Sequence, residues 1–382
     1  MKKAAIISCN DNYDYDTRTK YVCKYLEDAG YEVDFVIADY DHRNKRKYVA
    51  VHPGNIEYIK VREYKKNLSI ARILSHIEFT NGVKKLLFER NYDLVYHCAP
   101  PNSTIRRISQ LKRKSGFKLI TEIGDMWPET MPVSNTIKKL GWLPFCVWKN
   151  LRDSYLYNSD VVIAECNLFK NQLINNTGLR QIYTVYFCKE AKYLENCSFD
   201  SIQDVVELCY LGSINNIIDY DIVASLVKQI SEKRPVRIHI IGDGEKRDDM
   251  IESLKNAGGE VCFHGVIFDD EKKKEIFAKC HYALNVMKSD VYVGMTMKSL
   301  DYFSFGIPMI NNIGADIGEM VMKYNLGFNI SSDNCGDVAE RILRMTVQEY
   351  VCIRNNVCDV HKTYFSLNSF YNNMDNLIGD QL

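Results

Sequence analysis

The sequence has no long hydrophobic run and lacks the usual spacings of metal-binding cysteines and histidines. Its apolar runs, such as 161–164 and 236–241, are far shorter than the roughly 18 to 20 residues that a membrane-spanning helix needs, so no transmembrane segment is predicted. The 13 cysteines include no C-x-x-C pair and the 8 histidines no H-E-x-x-H spacing, which argues against a disulfide framework and a zinc site. We therefore expect a folded protein of the reducing cytoplasm, with thiols that pack as small hydrophobic groups.

Three Asp-Tyr-Asp tripeptides, at 14–16, 39–41 and 219–221, raise the question of a divalent cation. Carboxylates two residues apart can share a metal ion, because hard cations prefer oxygen ligands. The three copies lie in unrelated contexts, however, and a chain rich in tyrosine and aspartate produces them through its composition. We predict no bound metal.

Positive charge is concentrated in the first half of the chain. Residues 42–152 contain 22 Lys and Arg side chains and 8 Asp and Glu side chains, a net charge of +14. Such an excess favours an anionic partner, either a membrane surface or a lipid phosphate, although an evenly solvated basic surface would have the same composition. Nucleic acid explains the charge less well, because no recognisable nucleic-acid-binding module accompanies it.

Residues 140–157 combine aromatic and basic side chains. Such a combination suits a surface that rests on anionic lipid headgroups, here at the inner face of a membrane. The same aromatic side chains would serve equally well in the core of an N-terminal domain, and the sequence leaves both interpretations open. The side chains concerned are Trp142, Phe145, Trp148, Lys149, Arg152 and Tyr155.

Strand and helix patterns alternate along most of the chain. Residues 2–9 form an apolar run of strand length, and 17–29 place apolar side chains at helical spacing before Gly30. Residues 31–38 then form a second strand pattern, which completes the βαβ unit of a parallel sheet. Comparable strand patterns occur at 93–99, 117–124, 160–166, 206–212, 236–244, 260–265, 282–286 and 307–312.

This alternation predicts an α/β protein with two Rossmann-like βαβ domains. The first domain is predicted to cover 1–190 and the second 205–346, and the helical segment 347–382 is expected to pack back toward the first domain. Ligands of such sheets bind beyond the carboxyl ends of the strands, where loop amides and helix N-termini point outward. We expect the two domains to face each other across a cleft that holds the ligands.

Several segments carry motifs in a specific order. In the second half they are LCYLGSINN (208–216), IHIIGDGEKRDDM (238–250), VCFHGVI (261–267) and VGMTMKSLDYFSFGIPMI (293–310); in the first half they are DTRTKYVCKYLEDAGYEV (16–33) and GDMWPET (124–130). Together these segments resemble the retaining glycosyltransferases of family 4, which have the GT-B fold. The resemblance covers nearly the whole chain.

This resemblance implies that the C-terminal domain binds a nucleotide sugar and that the N-terminal domain largely binds the acceptor. It also implies transfer with retention of configuration and without a metal or other cofactor, with a UDP-sugar as the commonest donor of the family. The acceptor would be a glycan or a lipid-pyrophosphate-linked intermediate of a bacterial surface polysaccharide such as a capsule. A sugar-nucleotide epimerase of the same shape and a non-catalytic glycosyltransferase-like partner subunit are the alternatives.

Two positions of the donor site depart from the family pattern. The resemblance implies two glutamates eight positions apart, one near the donor sugar and one at the ribose, where this chain has Asp290 and Lys298. Gly212 and Ser213 are expected to contact the donor, but the two basic residues that would face the diphosphate are absent from the segment that they begin. We predict that Asp290 is catalytic and that Lys298 supplies positive charge to the diphosphate. Alternatively, the stem of Lys298 only covers apolar surface while its ammonium group reaches solvent.

Glycines at the ends of strands complete the predicted donor site. Gly242 and Gly244 follow a strand and precede a helix, as in a phosphate-binding turn, although G-x-G alone also describes an ordinary tight turn. Gly294 would let the backbone amides of the next two residues, Met295 and Thr296, approach a phosphate closely.

Three carboxylates are further candidates. Glu319 stands at the family's spacing for an acidic residue near the donor, although an exposed helix glutamate fits as well. In the first domain Asp125 follows a predicted strand, where it would act as a base or accept a hydrogen bond from the acceptor, with Glu129 as the second candidate. Related enzymes often have a histidine nearby where this chain has Gly124, and Asp125 would alternatively cap a helix.

Overall fold

The structure, a computed structural model, describes residues 1–12, 17–48, 55–131, 141–194 and 204–379. The chain divides into two compact units, one formed by Met1–Tyr186 with Tyr371–Leu382 and the other by Phe187–Phe370. The tripeptide at 14–16 lies outside the described residues, as do residues 195–203 of the segment predicted to join the domains.

The first unit contains a parallel sheet and a separate short hairpin. Its strands are β1 Lys2–Ser8, β2 Tyr31–Ala38, β3 Tyr40–Asp41, β4 Arg46–Lys47, β5 Ile56–Ile59, β6 Leu94–Ala99, β7 Lys118–Ile123, β8 Val161–Ala164 and β9 Ile182–Thr184. Seven of these described strands form the sheet in the order β5-β2-β1-β6-β7-β8-β9, with every pairing parallel. The hairpin consists of β3 and β4.

Helices connect the strands of this sheet. They are α1 Arg18–Asp28, α2 Ile70–Glu89, α3 Asn102–Ser115, α4 Trp142–Asp153 and α5 Asn167–Thr177. α3 buries Ile105, Ile108 and Leu111 on one stripe and ends at Gly116, whose φ of 74° suits a left-handed cap. The Tyr25 hydroxyl of α1 donates a hydrogen bond to Asp375 at 2.7 Å, within the same unit.

The second unit contains a sheet of six described strands. Its strands are β10 Val206–Leu211, β11 Val236–Ile241, β12 Gly259–Gly265, β13 Tyr282–Asn285, β14 Met309–Asn311 and β15 Gly327–Asn329. They are all parallel, in the order β12-β11-β10-β13-β14-β15. The helices are α6 Tyr220–Ser231, α7 Arg247–Asn256, α8 Asp270–Phe277, α9 Met297–Phe305, α10 Ala315–Tyr324, α11 Cys335–Leu343, α12 Val347–Val360 and α13 Leu367–Ile378, with a π-helical turn at His361–Phe365 between the last two. From Tyr371 onward, α13 belongs to the first unit.

The central strands are apolar on both faces because helices cover both sides of each sheet. Residues 4–7 of β1 are fully buried, and all six residues of β10 are buried. The predicted fold class, an α/β protein with two Rossmann-like domains, is therefore confirmed. None of the described helices combines the length and hydrophobicity that crossing a bilayer requires.

Candidate functional site

Two loops of the second unit touch through their backbones at the carboxyl ends of β10 and β11. Gly212 and Gly242 have φ values of 125° and 149°, which favour glycine. A Cβ atom on Gly242 would lie 1.9 Å from the carbonyl oxygen of Gly212, and one on Gly244 would lie 2.1 Å from that of Ile214. Glycine at 242 and 244 is therefore required for the two loops to pack together.

A cavity of about 280 Å³ opens beside these loops. It lies beyond the carboxyl ends of three parallel strands, the position at which α/β sheets bind ligands. Its walls combine loop backbone, apolar side chains and three charged residues, contributed among others by Gly212, Ser213, Gly242, Asp243, Val266, Lys273 and Asp301. Three predicted donor-site residues, Gly212, Ser213 and Gly242, thus line one cavity.

Two of the charged residues of this cavity come from α8 and α9, and the third, Asp243, comes from the loop after β11. Lys273 is buried and forms an ion pair with Asp270, which also pairs with Lys192. Asp301 pairs with Lys189. The cavity therefore contains a buried ammonium and a carboxylate, each of which already has an oppositely charged neighbour inside the same unit.

The turn before α9 holds the N-terminus of that helix in place. The Thr296 hydroxyl accepts a hydrogen bond from the Ser299 amide at 3.2 Å, which caps the helix. The Gly294 carbonyl accepts one from the Ile317 amide at 3.1 Å. The remaining first-turn amides of a helix have no partner within the helix, so this turn offers donors to an anion.

Four side chains orient the capping hydroxyl through a row of hydrogen bonds. Thr296 Oγ1 donates to Asn285 Oδ1 at 2.8 Å, and Asn285 Nδ2 donates to Asn311 Oδ1 at 2.9 Å. Asn311 Nδ2 donates to Asn329 Oδ1 at 2.8 Å, and Asn329 Nδ2 donates to the Gly318 carbonyl at 2.8 Å. The row crosses the ends of β13, β14 and β15 and satisfies polar groups that burial would otherwise leave unpaired.

Lys298 occupies the first turn of α9 and is buried, with 8 % of its surface exposed. Its Nζ lies 4.7 Å from the ring centroid of Tyr210, a cation–π distance, and has no hydrogen-bond partner among the described residues. Burial lowers the pKa of Lys298 to about 7. Because the Tyr210 hydroxyl donates to the Ser213 carbonyl at 2.9 Å, Tyr210 links Lys298 to the loop that lines the cavity.

Two other residues predicted for the donor site have exposed side chains. Asp290 lies in a turn after β13, and Glu319 lies on the solvent side of α10. Their predicted roles, catalysis for Asp290 and a donor contact for Glu319, stay predictions. Met295, by contrast, is buried in the turn before α9.

In the first unit, Asp125 follows β7 and is half-buried. Thr130 donates a hydrogen bond to its carboxylate. Burial raises the pKa of Asp125 above its usual value, and the hydrogen bonds from Thr130 and Trp127 oppose that shift. Residues 125–130 form a bend and a turn, so Asp125 does not cap an α-helix here. A carboxylate with a raised pKa suits the predicted role of a base.

Glu129 belongs to an ion pair. Both of its oxygens accept from the guanidinium group of Arg152 at 2.9 Å, and Arg152 also donates to Asp153 and to the Trp127 carbonyl. Arg152 is fully buried. This geometry gives Glu129 a fixed partner that holds the segment after β7, and a catalytic part for Glu129 stays a prediction.

A second buried ion pair joins α1 to β7 in the same unit. Arg18 Nε is 2.7 Å from Glu122 Oε1, and both side chains are buried. Tyr96 donates a hydrogen bond to Glu122. Arg18, which follows the first strand of the sheet in the chain, therefore acts within the interior of the unit.

Lys273 and Asp301 are cavity residues that sequence reasoning missed. Lys273 is the middle residue of a run of three lysines, which suggests a solvated helix face. Its spacing to the buried residues Ile276 and Phe277 is three and four positions, so helical periodicity could have identified it. Asp301 lies one turn after Lys298 and could have been found in the same way. Among the described residues, no group of three or more His, Cys, Asp and Glu side chains is placed to hold a metal ion.

Two family models match most of the chain. Residues 16–186 match the model described as Glycosyltransferase Family 4, and residues 206–347 match the model described as Glycosyl transferases group 1. No curated protein matches the sequence of the chain.

Solved structures share the fold at low sequence identity. Sucrose-phosphate synthase from Thermosynechococcus elongatus has a TM-score of 0.73 at 15% identity, covering 100% of this chain and 99% of that chain. HepE from Anabaena in complex with UDP has a TM-score of 0.68 at 14% identity, with 100% of both chains covered. The apo form of the lipopolysaccharide outer core galactosyltransferase WaaB has a TM-score of 0.67 at 17% identity, again with 100% of both chains covered.

Proposed function

Since the chain is a glycosyltransferase of the family 4 and group 1 type with the GT-B fold, we propose that it transfers a sugar from a UDP-sugar to a glycan or lipid-linked acceptor during synthesis of a cell-surface polysaccharide. The reaction would take place in the cytoplasm, at the inner face of the membrane, with retention of configuration and without a metal ion. The observation that carries the donor part is Lys298, a buried cation without an acidic partner among the described residues. It lies over Tyr210, whose hydroxyl donates to Ser213 in the loop that lines the cavity.

The donor diphosphate would supply the negative charge that Lys298 lacks among the described residues. Opposite charges 4 Å apart interact by about 4 kcal/mol at an effective dielectric constant near 20. The first-turn amides of α9 add donors for the same anion. Negative charge builds up on the leaving diphosphate as the sugar departs, so a cation fixed there stabilises the transition state more than the ground state.

Lys273 is the second cation of this site. It lines the cavity together with Gly212 and Ser213. From a different part of the chain, it would take the place of one of the two basic residues that the segment after β10 lacks. The glycine loops leave room for the nucleoside, and their φ values bring backbone groups close to it.

Asp125 serves the acceptor. Burial raises the pKa of its carboxyl group, which would accept a hydrogen bond or a proton from the attacking hydroxyl group. HepE, a protein of the same fold, has been solved with UDP, which supports a uridine nucleotide as the donor class.

Calorimetric titration tests the donor site. The wild-type chain is titrated with UDP-glucose, UDP, GDP and dTDP, and the strongest ligand is repeated on Lys298→Met. We expect a uridine nucleotide to bind in the micromolar range. Lys298→Met should lower the affinity for that nucleotide at least tenfold. Lys255→Met, which removes an exposed lysine of α7, is the matched control and should bind as the wild type does. Equal affinity in all three proteins would contradict the role of Lys298.

Product analysis separates transfer from the two alternatives. Conversion of the UDP-sugar into another UDP-sugar without any acceptor would identify an epimerase, and nucleotide binding without turnover would identify a partner subunit. For a transferase, the anomeric proton signal of the product should show the configuration of the donor. An inverted product would contradict retention.

A further inference from the structure

The first half of α2 has its polar and apolar faces exchanged. Arg72 and His76 are buried, whereas Ile70, Ile73 and Ile77 are 76 %, 45 % and 45 % exposed. In water the hydrophobic effect favours the opposite arrangement, with isoleucine inside and arginine outside. The exposed isoleucines therefore indicate that this part of α2 meets a non-aqueous surface.

A second cavity lies between α2 and α4. Its volume is about 390 Å³, within the range of small-molecule binding sites, and its walls are almost entirely apolar. The walls include Leu68, Ile73, Trp127, Met131, Phe145 and Trp148. An apolar cavity of this size fits a hydrocarbon chain, and we refer to it as the α2–α4 cavity.

Polar groups are present at one place in this cavity. Arg72 and His76 both line it, and Arg72 Nε and His76 Nε2 are buried atoms without a hydrogen-bond partner in the described part of the chain. Arg72 stacks over the Trp127 ring at 4.4 Å, and one of its other nitrogens donates to the Asn67 carbonyl at 3.1 Å. Arg72 also bonds to Tyr64, but its Nε and the Nε2 of His76 stay without a described partner. Buried polar atoms normally have partners, so these two atoms point to a ligand.

The charge of Arg72 specifies the chemistry of that ligand. An arginine stays protonated even when burial lowers its pKa, and its planar guanidinium group matches phosphate oxygens. His76 stays neutral, because burial, and then repulsion by Arg72, lower the pKa of its imidazole to about 3. A phosphate would satisfy Arg72, and the nearest acidic group that acts on Arg72 is Asp125, the proposed acceptor-side base.

α4 continues the apolar surface around the cavity. It contributes Phe145 and Trp148 to the walls, while Trp142, Leu143 and Val147 are each 59 % exposed. An amphipathic helix with tryptophan and leucine outside, in a region with a net charge of +14 between residues 42 and 152, matches the composition of elements that lie on anionic membranes.

We propose that the α2–α4 cavity binds the hydrocarbon chain of a phosphate-bearing membrane lipid, the lipid portion of the acceptor, with its phosphate on Arg72 and its chain leaving past the exposed isoleucines of α2 toward the bilayer. The proposal rests on the proposed function only for the identity of this lipid as the acceptor. It deepens that function, since it assigns the acceptor class and the residues that select it.

Tryptophan fluorescence can report on binding in the α2–α4 cavity. Its three tryptophans are Trp127, Trp142 and Trp148, and each lines the cavity or lies on α4 beside it. Tryptophan emission of the full chain is recorded while farnesyl phosphate is added below its micellar concentration. We expect a saturable shift of the emission to shorter wavelength. Farnesol should bind at least tenfold more weakly, and inorganic phosphate should give no shift.

Two glutamate substitutions on the same helix form the matched pair. Ile70→Glu places a charge at the cavity wall and should lower the affinity for farnesyl phosphate at least tenfold. Phe88→Glu changes an equally exposed apolar residue at the far end of α2 and should leave the affinity unchanged. Arg72→Gln should reduce the preference for farnesyl phosphate over farnesol, provided that its melting temperature shows a folded protein.

Several results would overturn the proposal. They are the absence of any emission shift, an equal loss of affinity in Ile70→Glu and Phe88→Glu, or a shift that occurs only with anionic phospholipid vesicles and never with farnesyl phosphate. Binding of UDP is measured on the same variants. If UDP binds but farnesyl phosphate does not, the lipid site is wrong while the donor site stands; if farnesyl phosphate binds but no sugar is transferred, the proposed function fails and the lipid site stands.

Discussion

Four of the buried cations in the described part of the chain fall into two classes. Arg18 and Arg152 each face a carboxylate, Glu122 at 2.7 Å and Glu129 at 2.9 Å. Lys298 and Arg72 instead lie over aromatic rings and have nitrogen atoms without partners in the described residues. The first two cations are neutralised by the fold itself. The second two form no ion pair with a described residue, and each lies beside a cavity or a loop that lines one.

The two unpaired cations also differ from each other. An amine can lose its proton when it is buried, and the pKa of Lys298 falls to about 7, so its side chain is only partly charged near neutral pH. A guanidinium group remains charged under all ordinary conditions. The proposed donor site of the second unit should therefore be sensitive to pH, whereas the proposed lipid site of the first unit should stay cationic. The difference shows how residue type, and not burial alone, sets the electrostatics of a site.

The largest effect should come from breaking a paired cation. Arg18→Met leaves the buried Glu122 without its partner and should lower the free energy of unfolding by about 3 to 5 kcal/mol, measured by urea denaturation. Arg90→Met removes an exposed cation that pairs with Asp34 and Glu57 and should cost less than about 1 kcal/mol. Similar losses in the two variants would remove the distinction between structural and ligand-binding cations.

A smaller effect, of opposite sign, is expected from removing an unpaired cation. Below pH 7 Lys298 is protonated in both states, and the cost of burying its charge is fully present. Between pH 7 and its ordinary pKa near 10.5, only the unfolded chain holds that proton, so the stability of the wild type should rise by about 1.4 kcal/mol per pH unit. Lys298→Met should therefore be more stable than the wild type at pH 6, with a difference that shrinks toward pH 10. Urea unfolding at pH 6, 7.5 and 9 measures this, and a pH-independent difference would contradict it.

The affinity for the donor should also depend on pH, through the protonation of Lys298. As the pH rises above about 7, binding of the UDP-sugar must first return a proton to Lys298, and the affinity of the wild type should fall by up to tenfold per pH unit. A UDP-sugar is preferable to UDP here, because it has no terminal phosphate that titrates near pH 6. Calorimetry between pH 6 and 9 should give a flat profile for Lys298→Met. A wild-type profile that is equally flat would place Lys298 outside the donor site.

The smallest effect concerns the helix caps. Thr296→Val and Thr346→Val each remove a hydroxyl that caps a helix, and each should cost about 1 kcal/mol of stability. Only Thr296 caps the helix that carries Lys298, so only Thr296→Val should also lower the affinity for the UDP-sugar, by about threefold to tenfold. Equal affinity in the two variants would show that the position of α9 does not matter for the donor.

Much of the fold followed from the sequence for a simple reason. Strands covered by helices on both faces are continuous apolar runs, and the pattern at 206–212 differs from the observed strand Val206–Leu211 by one residue. α2 has no comparable signal in its first half, because its apolar residues are exposed and its polar residues are buried. β15, Gly327–Asn329, is too short for any periodicity to show.

The candidate site was predictable in part. The glycines after β10 and β11 were found because their position after a strand implies a tight turn, and three of the predicted residues meet in one cavity. The isolation of Lys298 was not predictable, because it depends on Tyr210, which is 88 positions earlier in the chain, and on the lack of an ion pair with any described residue. Lys273 was hidden among neighbouring lysines that the same helix exposes.

The amide row that ends on Thr296 has a further consequence, because every bond in it points the same way. Asn285 and Asn311 each donate toward the sheet edge and accept from the α9 side, so neither amide can turn over alone without setting two donors or two acceptors against each other. The row is cooperative, and the carbonyls of Ile313 and Gly318 both fix the direction in which its amides donate. A change of Asn311 to aspartate would remove the group that donates to the next amide. Such a change should therefore reorient the hydroxyl that caps α9, the helix that carries Lys298.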